Sequence, residues 1–224
     1  MISKVISVST LIAVAGFASA DVIVSYSFTD LDGSFDAMSS TFTASATDMI
    51  SGGSLDTGGD VSRLLDIPRT AGFESGFLAF GTFADVQISL NVTNITQTSA
   101  DASGTVTITD LGGDTLTADV SGSWTILNPF GFMFFSGVSE NYTFADNNDT
   151  DGEFNGTNGF FDISDLVGNQ YDGAVSLLLQ NPGGFGADFS GVSTEGDGVL
   201  VPTPGSVLIG SLGALGMIIP RRRR

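Results

Sequence analysis

The chain has 224 residues, enough for one sizeable domain, and sets seven lysines and arginines against 25 aspartates and glutamates, with no histidine and no cysteine. Between positions 21 and 200 only Arg63 and Arg69 oppose all 25 acids, a formal charge of −23. Such a field repels phosphate and argues against a nucleic-acid partner. The missing residue types exclude disulfides, thiolate or imidazole metal sites, cysteine nucleophiles and Ser-His-Asp triads.

The first twenty residues, MISKVISVSTLIAVAGFASA, place Lys4 before an apolar run from Val5 to Phe17 and end on Ala18-Ser19-Ala20. A basic start, an apolar centre and small residues at a cleavage position are the three parts of a secretory signal. This order predicts an N-terminal signal helix over 1–20, cleaved after Ala20. An acidic domain follows over 21–200.

From Asp21 the dominant period is two. DVIVSYSFT puts Val22, Val24, Tyr26 and Phe28 on one side and hydroxyls on the other, and DVQISLNVT repeats the pattern with Val86, Ile88, Leu90 and Val92. TVTITD and DTLTADV, joined by LGG, predict a hairpin between Thr105 and Ile126. Further strands are expected near Thr41 to Thr47, Gly76 to Phe83, Phe134 to Phe144, Ala174 to Gln180 and Phe185 to Val192. Short helical candidates sit at Val61 to Leu65 and Ile163 to Leu166. Many short strands separated by glycine-rich turns predict an all-β fold: an antiparallel β-sandwich or jelly-roll-like single domain, with a closed barrel as its main competitor.

Two apolar features read as core. Trp124 lies on the inward side of an alternating strand. PFGFMFFSG, Pro129 to Gly137, reads as a turn entering a strand buried on both faces, with an exposed aromatic platform as the competing reading.

The densest polar stretch is ADNNDTDGEFNG. Asn147, Asp149, Asp151 and Gly152 match the first ligand positions of a calcium loop, but Asn158 stands where such loops carry a bidentate glutamate. An irregular calcium site drawing on Asp146, Asp149, Asp151 and Glu153 is the metal expectation. TDLDGSFD, with Asp30, Asp32 and Asp36, is a weaker one that doubles as a turn. No spacing selects a carboxylate pair for glycoside hydrolysis.

The last 24 residues join Val201-Pro202-Thr203-Pro204-Gly205, an apolar run from Val207 to Ile219, and Arg221, Arg222, Arg223 and Arg224. Thirteen apolar-run residues make a helix of about 20 Å against about 30 Å of hydrocarbon, short for a permanent span. The arginines favour retention on the cytoplasmic side. In the order and spacing of its three parts this segment, over 201–224, resembles the PEP-CTERM sorting signal of bacterial exported proteins, in its proline-x-proline-glycine variant. Thr203 stands where the typical motif has glutamate. The resemblance implies recognition by an exosortase, a short C-terminal apolar helix held transiently in the membrane, cleavage near the proline motif, and delivery to the cell surface or an exopolysaccharide matrix.

The expected function is therefore that of a non-catalytic surface or matrix protein, associated with polysaccharide or calcium. A carbohydrate-active enzyme using two carboxylates, or a permanently membrane-anchored surface protein, are the alternatives.

Overall fold

A computed structural model of the chain describes residues 22–46, 51–57, 70–74, 85–127, 131–147, 149–156, 159–164, 166–168, 171–180 and 183–202. The expected signal with Ala18 and Ala20, the tail from Thr203 through Pro204, Gly205 and the four arginines, the Gly76 to Phe83 strand and the Val61 to Leu65 helix lie outside the described residues.

Among the described residues twelve strands follow in order: β1 Val24–Asp36, β2 Thr41–Ser45, β3 Gly52–Thr57, β4 Thr70–Glu74, β5 Val86–Thr93, β6 Ser99–Thr109, β7 Thr115–Leu127, β8 Phe132–Ala145, β9 Glu153–Gly156, β10 Gly159–Asp162, β11 Tyr171–Gln180 and β12 Phe189–Pro202. The all-β expectation holds. All ladders between them are antiparallel, and the order β1-β2-β5-β6-β7-β8-β11-β12 closes on itself through a β12–β1 ladder. Eight strands thus form a barrel, where a sandwich or jelly roll was expected. The deciding contact joins the first and last strands, and period-two patterning is the same for either architecture.

β1 is long enough to serve three neighbours. One edge follows β12, while the other pairs with β3 over Val24 to Thr29 and with β2 over Asp32 to Asp36. The second acidic stretch is consequently not a calcium loop. Asp32 projects outward from β1, Asp30 sits at a bulge with φ 54° and accepts a 2.6 Å bond from Ser193 Oγ, and Asp36 Oδ1 caps the following turn through Met38 N at 2.8 Å.

The eight-stranded interior is just wide enough for side chains to fill it. Trp124 is wholly buried, as expected, with its ring centroid 5.2 Å from those of Phe42 and Phe135 and 5.3 Å from that of Phe185. Phe185, on a 3-10 turn at Gly184–Gly186, closes the end of the barrel that carries the β1–β2 and β11–β12 connections. Phe154, Ile163 and Leu166, inserted between β8 and β11, are fully buried near the opposite end, where Phe154 packs edge-on against Phe144. The expected helix at Ile163 to Leu166 is a single turn, closed by Leu166 N to Ile163 O at 2.7 Å.

The strand expected near Phe185 to Val192 instead runs as β12 from Phe189 to Pro202, through Gly196 and Gly198. The ring of Tyr26 fills the space that a Cβ at Gly198 would need, and a Cβ at Gly196 would come within 2.9 Å of Leu177. Glycine is what lets this strand lie against so crowded an interior. The outer side of the wall is mostly serine, threonine and carboxylate, with apolar residues inside, the reverse of a lipid-facing barrel.

Candidate metal centre

At the end of the barrel where the chain enters and leaves, carboxylates organise the connections. The β6–β7 turn runs from Asp110 to Asp114, and Asp110 Oδ1 accepts Asp114 N at 2.7 Å. Its other oxygen, Oδ2, accepts Asn155 N at 2.7 Å, while Leu111 N reaches Asn155 O at 3.0 Å. Asp110 is fully buried and so ties the hairpin to β9 from inside.

Asp114, also fully buried, accepts Asn147 N on Oδ1 at 2.6 Å. Asn147 donates from Nδ2 to Gly113 O at 3.3 Å and to Thr115 Oγ1 at 3.2 Å. Asp146 Oδ2 accepts Gly152 N at 3.1 Å, whereas its Oδ1 is buried and accepts no hydrogen bond.

These bonds bring one oxygen each of Asp114, Asp146 and Asp149 within 4.8 Å of one another. Oxygens on a shell of about 2.4 Å around calcium are separated by at most about 4.8 Å, so the spacing is compatible with one shared ion. A Cβ at position 112 would overlap Asp149 Oδ2, which makes Gly112 part of the enclosure. Among the described residues there is no lysine, arginine or histidine.

Of the four predicted ligands, Asp146 and Asp149 meet. Asp151 instead caps its own turn, accepting Glu153 N on Oδ1 at 2.8 Å and Asn155 Nδ2 on Oδ2 at 3.2 Å. Glu153 lies outside the trio, and its pKa is raised by desolvation and by Asp151, Asp162 and Asp149. The ligand missed was Asp114, 32 positions before Asp146. The hairpin itself was legible, but the strand register that carries its turn to the end of β8 is a tertiary fact.

Burial raises the pKa of Asp110, and of Asp85 before β5, to about 6. That acidity suits a general acid. Yet Asp110 and Asp85 are 0 % and 3 % exposed, so neither reaches a surface where a glycosidic oxygen could arrive.

Comparisons with family models, curated proteins and solved structures return no match.

Proposed function

We propose that this is an exported, non-catalytic surface or matrix protein whose acidic end takes up calcium. The observation that carries the reading is the placement of both chain ends. Ile23 N donates to Leu200 O at 2.9 Å, and Pro202, first proline of the sorting motif, is still paired with Tyr171 in the barrel wall. A signal segment before residue 21 and a sorting segment after residue 202 would therefore leave from one end of the barrel, the end that also carries the β6–β7 turn.

A chain held by such a tail directs the rest of its wall away from the membrane. Exosortase-type processing beyond Pro202 releases the barrel with its last strand intact. Calcium bound between the β6–β7 turn and the 146–149 loop stiffens the end nearest the anchor and offsets carboxylate repulsion. An exopolysaccharide is the polymer class such a protein accompanies.

The intact mass of the protein recovered from its cells tests this. The expected species lacks residues 1–20 and the arginine tail. A mature form retaining Arg221 to Arg224 points to permanent anchoring, and one retaining the first twenty residues refutes export through that signal. Release of sugar from polysaccharide by the purified protein refutes the non-catalytic assignment.

A further inference from the structure

The run at Pro129 to Gly137, expected to be buried on both faces, is buried on one. Met133 and Phe135 point inward, and Phe134 is 41 % exposed on the outer wall. Phe134 pairs with exposed Leu178 on β11, and both stand beside a row of short polar residues. Strand register sets Ser54, Ser27, Asp197, Ser176 and Ser136 side by side across β3, β1, β12, β11 and β8. At about 4.8 Å per strand the row is roughly 19 Å long.

Where the row crosses β3, β1, β12 and β11 the outer wall is hollowed, with a volume of about 400 Å³. Ser25, Ser27, Ser54, Ser176, Asp197 and Val199 line it. Elsewhere on the wall such polar groups bond to one another: Ser34 to Thr43 at 2.9 Å, Thr117 to Thr143 at 2.8 Å, Asn141 to Asp119 at 2.9 Å and Asn94 to Asp101 at 2.7 Å. In the hollow Ser27 and Ser54 are 3.3 Å apart, whereas the side chains of Ser25, Ser176 and Asp197 make no hydrogen bond to any described residue. Its acceptors and donors are left for an occupant.

We infer that this hollow is a subsite for a neutral polysaccharide, whose hydroxyls donate to Asp197 and exchange hydrogen bonds with the serines. Competing occupants each lack something the hollow requires. A lipid or an apolar side chain would strip water from the carboxylate and hydroxyls and return no partner. A polyanion or a second copy meets a domain of −23 and a carboxylate within the contact itself. An extended peptide has no sheet edge to join, since β1, β11 and β12 are each paired on both sides. A polycation finds one carboxylate among four hydroxyls. A sugar chain supplies donors and acceptors at every ring, and two of its hydroxyls on the oxygens of Asp197 form a charge-assisted pair. Its C–H faces can rest on Val199 on one side of the row and on Leu178 and Phe134 on the other. This gives the polymer association proposed above a place on the barrel, and it depends neither on calcium nor on processing of the tail. Binding at one such subsite is weak and is strengthened when many copies line one polymer.

The test is native electrophoresis of the full-length protein, in a polyoxyethylene detergent with a calcium chelator, through gels containing dextran, galactomannan, mixed-linkage β-glucan or alginate. Retardation by at least one of the three neutral polymers is expected, and none by alginate. Asp197→Ala should weaken that retardation about tenfold or more, as loss of a charge-assisted pair does. Ser176→Phe, which fills the hollow from an outward position, should do the same. Ser89→Phe, an outward change on β5 away from the hollow, should leave it intact. All three positions lie on the outer wall, so each variant should keep the wild-type melting temperature. No retardation in any neutral gel, retardation by alginate instead, or retardation that survives both Asp197→Ala and Ser176→Phe overturns the proposal. A calcium-dependent melt without retardation removes this proposal and leaves the metal reading standing.

Discussion

Neutralising the trio Asp114, Asp146 and Asp149 is the sharpest perturbation of the metal reading. An ion that binds only the folded chain stabilises it by about 2.7 kcal/mol at 100 times its dissociation constant. For a domain of this size each kcal/mol moves the melting temperature by about 2–4 °C, so saturating calcium should raise it by roughly 5–10 °C. The assay is a melt followed by circular dichroism after chelator treatment, with calcium added at constant ionic strength. Constant ionic strength matters because any cation screens a domain of −23, and sodium chloride alone will raise the melt somewhat. Asp146→Asn should abolish the calcium-specific gain. Its buried Oδ1 has no hydrogen bond to lose, so the metal-free melt should fall little or rise. Asp119→Asn, on an exposed wall position, should leave the gain intact. A gain that sodium chloride reproduces, or that survives Asp146→Asn, refutes a specific site.

Four further outcomes follow from the packing and the ionisation. Asp85 and Asp110 have folded pKa values near 6 against an ordinary 3.8, so the folded state binds more protons between those values; their contribution grows as pH falls from about 7 to 4 and is lost as pH rises through 6. The urea midpoint without calcium should rise from pH 7 to pH 5, and Asp85→Asn should flatten that rise by roughly 1.4 kcal/mol. Gly198→Ala should cost at least about 2 kcal/mol, since its methyl group overlaps the Tyr26 ring, and an undiminished melt would contradict the packing. Tyr26→Phe removes half of the buried Tyr26–Tyr142 hydroxyl pair, 2.5 Å apart, at about 1–2 kcal/mol, and the double change with Tyr142→Phe should cost less than the sum of the singles. Gly112→Ala should weaken calcium binding by pushing Asp149 aside, read as a higher calcium concentration at half-maximal stabilisation.

Alternation made Val86 to Val92 and the Thr105–Ile126 hairpin legible, since inward and outward sides are written into consecutive residues. The same rule failed at β12, where glycines replace inward side chains, and at Phe132 to Phe135, where aromatic residues occupy both sides. Two of the metal trio were readable because Asp146 and Asp149 are neighbours in the chain. Asp114 was not, because its approach depends on how β7 and β8 register.

What the sequence determined by itself is the set of local properties: strand periodicity, an acidic domain with only two arginines against 25 acids, a likeness to a sorting signal, and the chemistries excluded for want of histidine and cysteine. Tertiary structure alone decided that the first and last strands close a barrel, that Ile23 and Leu200 meet at one of its ends, and that Asp114 joins Asp146 and Asp149. Each of those joins residues far apart in the chain. Local patterning records which side a residue faces, but not which strand will stand next to it.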